Sequence, residues 1–236
     1  MPATPGLATT VWDHPDATGR AVLLPGFLDG RDDPAVAALG AALHVARLSA
    51  IAADPRGAGI GAGTPADLGP TTQLADIAAL VPPAGRTVLI GHCYGALLAC
   101  LAAAIDPRIT DVVALMPSRC FIWPDDYEPT RDTWRTAGEH TFQRGDRRIS
   151  VPYSVVQDAL RHDLPAAVAT LRQRILFVAG ERDELIGVAP VRRLHTECGS
   201  PRKHLAVLDV QHDFRDLPAE IETVVGTVLR WLSSAE

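Results

Sequence analysis

The sequence predicts an α/β fold in which helices cover both faces of a mostly parallel sheet. Short apolar segments typical of buried strands alternate along the chain with Ala/Leu-rich segments long enough for helices. Several strand-like segments end in a glycine-containing loop directly before the next helix, which is the pattern of βα units. A chain of 236 residues is long enough for one large domain of this kind.

The predicted elements follow one another in a regular order. Strands are predicted at residues 8–13, 21–24, 47–52, 88–90, 111–116, 174–179 and 205–210. Helices are predicted directly after Gly95 and at residues 34–43, 71–80, 164–171, 188–198 and 218–232. The first of these ranges begins with a proline, which the first position of a helix favours. The last carries Ile221, Val224 and Val228 on one apolar stripe, as a helix packed on a core does.

Residues 118–163 interrupt this pattern, because they are charged and aromatic and lack regular apolar segments. Half of the aromatic residues of the chain lie in them. We therefore predict a core formed by residues 1–117 and 164–236, with residues 118–163 inserted as a lid or cap. Clustered aromatic side chains are typical of an apolar pocket. The arginines of the insert, including Arg144 and Arg147, alternate with acids and are expected to be solvated.

The composition argues against several classes of function. A net charge of −6 with dispersed basic residues offers no positive field for nucleic acid. Neither a signal-peptide pattern nor an apolar run long enough to span a bilayer is found, so we expect a cytoplasmic protein without a membrane partner. The four cysteines show neither a zinc spacing nor a disulfide framework, so reduced thiols and no metal or cofactor are expected.

One motif carries chemistry, and it is Gly91-His92-Cys93-Tyr94-Gly95, between a predicted buried strand and a predicted helix. In such a turn the glycines leave room for neighbouring backbone, and the strained middle residue presents its reactive atom above the sheet edge. Here the middle residue is Cys93. Because a helix begins beside it, backbone N–H groups and the positive end of the helix dipole favour the thiolate form of its side chain.

On this motif and on the residues at two later strand ends, the chain resembles the α/β-hydrolase superfamily. Within it, the chain is similar to the small lid-bearing esterases and thioesterases. The family order of nucleophile, acid and histidine implies Cys93 as nucleophile, Asp183 as acid and His212 as base. Asp209 is the alternative acid, because it precedes His212 closely. His92 is expected to point to the opposite side of the turn and to make a structural hydrogen bond.

The same resemblance implies backbone donors for the oxyanion of the transition state. They are the N–H groups of Tyr94, after the nucleophile, and of Phe27, in the loop after an early strand, with Leu28 as a substitute. Pro25-Gly26 stands where the family often has His-Gly, so a side chain that commonly braces this loop is missing. The residues expected to contact the substrate are Leu28, Phe121, Trp123 and Trp134.

The implied function is that of a cysteine-dependent acyl hydrolase or acyltransferase, which forms an acyl-enzyme from a small-molecule ester or thioester. A proline at the position of Pro25 also occurs in polyketide and peptide-synthase thioesterases, which favours a carrier-bound substrate. Two alternatives stay open. One is a cyclase, a lyase or a C–C bond hydrolase of the dienelactone type that uses His212 for acid–base chemistry. The other is a silent ligand-binding protein, which the competent residues at all three triad positions disfavour.

Overall fold

The computed structural model describes residues 6–117 and 131–234 of the chain. The strands in these residues are Thr9–Trp12 (β1), Arg20–Leu24 (β2), Ser49–Ala53 (β3), Thr87–His92 (β4), Asp111–Leu115 (β5), Glu139–Arg144 (β6), Arg147–Pro152 (β7), Arg174–Gly180 (β8) and Lys203–Leu208 (β9). Seven strands of the described part form one sheet in the order β1-β3-β2-β4-β5-β8-β9, and there only β1 runs antiparallel to its neighbour. The prediction of a mostly parallel α/β sheet is confirmed.

Helices lie on both faces of this sheet. They are Pro34–Val45 (α1), Pro70–Leu80 (α2), Tyr94–Ile105 (α3), Arg131–Ala137 (α4), Ser154–Ala159 (α5), Leu164–Thr170 (α6), Val188–Glu197 (α7) and Pro218–Ser233 (α8). α1 and α8 pack on one face, and α2, α3, α6 and α7 pack on the other. Among residues 6–117 and 131–234, no helix has both the length and the apolar character that crossing a membrane requires.

Neighbouring residues of a central strand belong to opposite layers of the core, because successive side chains of a strand point to opposite faces. In β2, Val22 and Leu24 pack in the layer of α2 and α3, whereas Ala21 and Leu23 pack in the layer of α1 and α8. A strand buried on both faces reads as a continuous apolar run. This is why the sequence alone reveals these strands.

The loops that follow β2 and β4 open at the same edge of the sheet. β2 is paired with β3 on one side and with β4 on the other, and all three strands are parallel. The strand order therefore reverses at β2, and crevices at such a point are where α/β sheets bind ligands. Leu24 is the register partner of Gly91, so the loop after Leu24 lies beside the turn that contains Cys93.

The inserted part of the chain packs on this edge as a small unit. β6 and β7 form an antiparallel hairpin, with α4 before it and α5 after it. Trp134 and Ile149 pack in one apolar cluster with Leu28, which belongs to the loop after β2. The sequence does not predict the hairpin, because β6 is polar apart from Phe142 and has no apolar run. The limits of the lid at 118 and 163 stay a prediction, since 118–130 lie outside the described residues.

Candidate active site

Cys93 occupies a strained turn between β4 and α3. Its backbone has φ 53° and ψ −112°, a conformation that residues with a side chain rarely adopt. A Cβ atom on Gly91 would lie 2.1 Å from the carbonyl oxygen of Gly95, and a Cβ atom on Gly95 would lie 2.1 Å from the carbonyl oxygen of Leu24. Both positions of the motif therefore require glycine, because neighbouring backbone occupies the space of any side chain.

Backbone hydrogen bonds anchor this turn to the sheet and to the helix. The N–H group of Cys93 donates to the carbonyl of Leu115 in β5 at 2.9 Å. The carbonyl of Cys93 accepts from the N–H groups of Ala96 and Leu97, which begins α3. Cys93 is partly exposed, whereas Cys100 is buried in the core. The turn thus presents one accessible cysteine at the carboxyl edge of the sheet.

His212 and Asp183 form a hydrogen-bonded pair next to Cys93. Nδ1 of His212 lies 2.9 Å from Oδ2 of Asp183. The side chain of Cys93 lies close enough to that of His212 to raise its pKa. Because a carboxylate only accepts, Nδ1 carries the proton that it donates to Asp183, and Nε2 is the nitrogen left for Cys93. The structure thus brings together a thiol, an imidazole and a carboxylate, of which the last two are hydrogen-bonded.

The loop after β8 fixes the carboxylate of Asp183. Oδ1 accepts from the N–H groups of Leu185 at 2.9 Å and Ile186 at 2.8 Å, which leaves Oδ2 for His212. Burial by itself would raise the pKa of Asp183. The hydrogen bond and the charge of His212, together with the two backbone hydrogen bonds, outweigh burial and hold this pKa below its ordinary value. Asp183 is therefore an ionised acceptor at neutral pH.

The imidazole of His212 is stabilised in its protonated form. Its side chain is 12% exposed, and burial by itself would lower its pKa. The hydrogen bond to Asp183, the interaction with Cys93 and the negative charges of these two groups act in the opposite direction and raise the pKa of His212 to about 10. The surroundings of His212 thus favour an imidazolium that is held between two acidic partners.

His92, directly before the nucleophile position, contacts the loop of His212. Its Nε2 lies 3.1 Å from the carbonyl oxygen of His212, so Nε2 carries a proton and donates it. Burial and the nearby positive charge of His212 lower the pKa of His92 to about 3, which keeps the His92 ring neutral. The prediction that His92 makes a structural hydrogen bond is confirmed.

Asp209, the alternative acid, lies at the surface and binds Arg182. Its side chain is 75% exposed, and its Oδ1 lies 2.5 Å from Nε of Arg182. Glu181 and Glu184, which flank Asp183 in sequence, are exposed. Asp183 is the carboxylate that the structure places against His212.

The loop after β2 forms a tight turn beside the turn of Cys93. The N–H group of Asp29 donates to the carbonyl of Gly26 at 3.1 Å, and Leu28 has φ 62°. The rings of Phe27 and Tyr94 meet edge to face, with centroids 6.0 Å apart. The two residues whose N–H groups are expected to bind an oxyanion are therefore neighbours. Their role as donors stays a prediction.

The family of the chain follows from its sequence together with this fold. Residues 21–229 match the model of the alpha/beta hydrolase family. The chain belongs to this family. No curated protein sequence matches the chain significantly.

Solved structures share the fold of the chain over nearly its whole length. Alpha/beta hydrolase domain-containing protein 10 from mouse is 16% identical with a TM-score of 0.81, and the match covers 98% of this chain and 96% of the mouse protein. Est1E from Butyrivibrio proteoclasticus with bound ferulic acid is 19% identical with a TM-score of 0.77, covering 96% and 94%. The enol-lactonase from Burkholderia xenovorans LB400 is 18% identical with a TM-score of 0.76, covering 98% of each chain. At such identities the likeness shows the fold.

The residues expected to contact the substrate lie in different places. Phe121 and Trp123 fall outside the described residues. Trp134 is 1% exposed and donates its indole N–H to the carbonyl of Val151, and Leu28 is 2% exposed. Both side chains are covered by protein in this conformation, because they pack in the apolar cluster between the insert and the loop after β2 instead of forming a pocket wall. Direct contact of either with a substrate is therefore not supported by the geometry.

Sequence reasoning missed a buried ionic cluster beside the site. Asp29, in the loop after β2, accepts hydrogen bonds from Arg144 of the hairpin and from Arg215 of the loop after His212. The expectation that Arg144 is solvated is wrong, because both its Nε and its Nη2 bind Asp29 at 2.7 Å. The sequence signal for this cluster was an acid, Asp29, between the glycines of the loop after β2. Such a signal does not identify partners that lie far away along the chain. Within the described residues no group of three or more His, Cys, Asp or Glu side chains is placed to hold a metal ion.

Proposed function

We propose that the protein is a cysteine-dependent acyl hydrolase or acyltransferase that acts on an ester or thioester through Cys93, His212 and Asp183. The observation that carries this proposal is the hydrogen-bonded pair of His212 and Asp183, which lies next to Cys93 in its strained turn. Nucleophilic catalysis requires a nucleophile within hydrogen-bond reach of a base and an acid that orients the base. Membership of the alpha/beta hydrolase family supports the same roles.

In the first half of the reaction, the sulfur of Cys93 adds to the acyl carbon of the substrate. The proton of the thiol passes to Nε2 of His212, whose raised pKa favours the imidazolium that results. The oxyanion formed would accept hydrogen bonds from the N–H groups of Phe27 and Tyr94. When it collapses, the bond to the leaving alkoxide or thiolate breaks, and Nε2 of His212 supplies the proton to that group.

In the second half, water or another acceptor attacks the thioester of Cys93. Neutral His212 takes the proton of the acceptor through Nε2, a second oxyanion forms, and its collapse releases the acid or ester and the Cys93 thiolate. Asp183 holds the imidazole in the one tautomer that serves both halves. The bonds made and broken balance, since one acyl group moves from the leaving group to the acceptor.

The substrate is proposed to be a small acyl compound, free or attached to a carrier. The structural neighbour named as an enol-lactonase is consistent with an ester, since a lactone is a cyclic ester. Residues 118–163 are proposed as the lid, with Phe121 and Trp123 facing the acyl group. Phe142 of β6 is half-buried against Phe27, and it extends the aromatic surface toward the turn of the expected oxyanion donors.

The test is the trapping of an acyl-enzyme. The purified protein is mixed with p-nitrophenyl esters and N-acetylcysteamine thioesters of graded chain length, and its intact mass and peptide map are recorded. We expect one acyl group on Cys93, which disappears on addition of a nucleophile. Cys198→Ala is the matched control, because Cys198 is 4% exposed and should not react.

Three results would separate the alternatives. Loss of labelling in Cys93→Ala, with full labelling in Cys198→Ala, supports acyl transfer through Cys93. A Cys93→Ala variant that still turns over substrate supports acid–base chemistry through His212 instead. A wild-type protein that binds acyl compounds without either labelling or turnover supports a binding protein.

A further inference from the structure

The turn of Phe27, Leu28 and Asp29 is not held in shape by its local sequence alone. Leu28 has φ 62°, a region of backbone conformation that glycine adopts readily and a leucine rarely does. A residue stays in such a conformation only where the surrounding structure over-determines it. The contacts that stabilise this turn must therefore come from other parts of the chain.

Arg147, the first residue of β7, holds the turn through its backbone. Its Nη2 donates to the carbonyl of Leu28 at 2.7 Å, and its Nη1 donates to the carbonyl of Ala58. The peptide group between Leu28 and Asp29 is thus held at both ends, because the N–H group of Asp29 donates to Gly26. A guanidinium presents its donors in a fixed plane, so it fixes the orientation of the two carbonyls that it binds.

Arg144, the last residue of β6, binds the side chain of Asp29 in the same turn. Its Nε and Nη2 bind the two carboxylate oxygens of Asp29, each at 2.7 Å. Nη1 of Arg215 also binds Oδ1 of Asp29, at 2.6 Å. Asp29 is 7% exposed, and a buried carboxylate with charged partners on both oxygens has little freedom to move. Asp29 therefore ties the turn to the hairpin and to the loop that follows His212.

The hairpin contacts each of the three residues of the turn. The rings of Phe27 and Phe142 meet edge to face with centroids 5.2 Å apart, in addition to the contacts at Leu28 and Asp29. A ring, a backbone carbonyl and a carboxylate are fixed by three successive contacts from one element. Together these contacts restrain the position of the turn and the orientation of its peptide groups. Packing of Phe142 against Phe27 alone would not fix the peptide groups.

We propose that Arg147 and Arg144 are positioning residues for acyl transfer, through which the β6–β7 hairpin holds the turn of Phe27 and Leu28 in the shape that binds the oxyanion. This inference rests on the proposed function. Oxyanion donors act only when they point at the place where charge develops, so a small displacement of the turn slows the steps that form an oxyanion. The hydrogen bonds described for Arg147 and Arg144 end on Leu28, Ala58 and Asp29, and none of them ends on Cys93 or His212.

The test compares two reactions of Cys93 in Arg147→Ala and in the wild-type protein. In acylation by p-nitrophenyl acetate, the sulfur adds to the carbonyl carbon, and an oxyanion forms before p-nitrophenolate leaves. In alkylation by iodoacetamide, the sulfur displaces iodide from a saturated carbon, and no oxyanion forms. We expect the acylation rate to fall about 10- to 100-fold, and the alkylation rate to stay within about twofold of the wild-type rate.

Arg148→Ala is the matched control, because Arg148 is the next residue of β7 and its side chain is exposed. We expect it to leave both rates unchanged. Arg147→Lys keeps the charge without the planar fork, and its acylation rate should lie between those of wild type and Arg147→Ala. If Arg147→Ala does not fold, Arg147→Lys is judged by the same two rates.

Two patterns would overturn the inference. One is an acylation rate that neither Arg147 variant changes. The other is a parallel loss of acylation and alkylation, which would mean that Arg147 acts on the Cys93–His212 pair or on the fold as a whole. A wild-type protein that is alkylated by iodoacetamide but acylated by no ester would overturn the proposed function, and this inference with it.

Discussion

The substitution Asp183→Asn tests the orientation of His212 more sharply than a truncation would. An asparagine amide has one acceptor oxygen and one donor NH₂ group. It can therefore replace only one of the two carboxylate oxygens, either the one that accepts from the backbone or the one that accepts from His212. If the NH₂ group faced the N–H groups of Leu185 and Ile186, two buried donors would lose their acceptor, at about 1–3 kcal/mol each. These groups donate at 2.9 and 2.8 Å in the native loop. The amide oxygen is therefore expected to stay with them.

The NH₂ group of the asparagine then faces Nδ1 of His212, which must give up its proton to accept the hydrogen bond. The neutral ring that remains carries its one proton on Nε2, so Nε2 is no longer free to take the proton of the thiol or of the acceptor. The imidazolium also loses its carboxylate partner at 2.9 Å, which is one cause of its raised pKa. We expect the acylation rate to fall by about 10⁴, as loss of the orienting acid does in other triads. That factor corresponds to about 5.5 kcal/mol in the activation free energy.

The assay is the burst of p-nitrophenolate in a single turnover, with ¹⁵N NMR of the His212 ring to identify the tautomer. Asp209→Asn is the control, because Asp209 is exposed and paired with Arg182. It should keep nearly full activity. An Asp183→Asn variant within about tenfold of wild type, or one with Nδ1 still protonated, would refute the reasoning. A larger defect in Asp209→Asn than in Asp183→Asn would move the acid to Asp209.

Further outcomes are expected from the same geometry. Cys93→Ser should fold and be a poor enzyme, as measured by the burst assay, because a serine oxygen is not an anion at neutral pH and its shorter bond misplaces the oxyanion. Gly91→Ala should lower the free energy of unfolding by at least about 4 kcal/mol, whereas the control Gly138→Ala, whose added Cβ would meet nothing within 4 Å, should lose about 1 kcal/mol. Because the pKa of His212 rises from 6.5 to about 10 on folding, its stabilisation is full below pH 6.5 and is lost as pH rises toward 10. The slope is up to about 1.4 kcal/mol per pH unit in denaturant melts, and His212→Gln should flatten it.

The central strands and the turn at Cys93 could be predicted from the sequence because their signals are local. A buried parallel strand is an apolar run, and a turn with backbone packed against two positions needs glycine at both. The ends of the strands depend on backbone conformation and on hydrogen bonds, which the pattern of apolar residues does not reveal. The strand predicted from residue 47 begins at Ser49, because Arg47 has φ 62° and its N–H group closes the turn after α1 on the carbonyl of His44.

The candidate triad was predicted from the order of three residues along the chain, and the parallel sheet explains why order suffices. Cys93, Asp183 and His212 each follow a parallel strand, so their loops open at one edge whatever the length of the segments between them. Choosing Asp183 over Asp209 by sequence rested on its distance from the end of its strand. The structure adds the physical reason, since Asp183 is buried against His212 and Asp209 is exposed against Arg182.

The contacts of the hairpin with the loop after β2 could not be predicted in this way, because they join residues more than a hundred positions apart. Arg144 and Asp29 are separated by 115 positions and Arg147 and Leu28 by 119, and neither pair leaves a pattern in one sequence. The interspersed acids around Arg144 suggested a solvated surface, whereas the partner that binds it lies in the loop after β2. Leu28, a non-glycine residue at φ 62°, is held by such a distant contact. The loop after β2 is therefore the part of the candidate site that local sequence specifies least, and it is the part that the inserted hairpin contacts most.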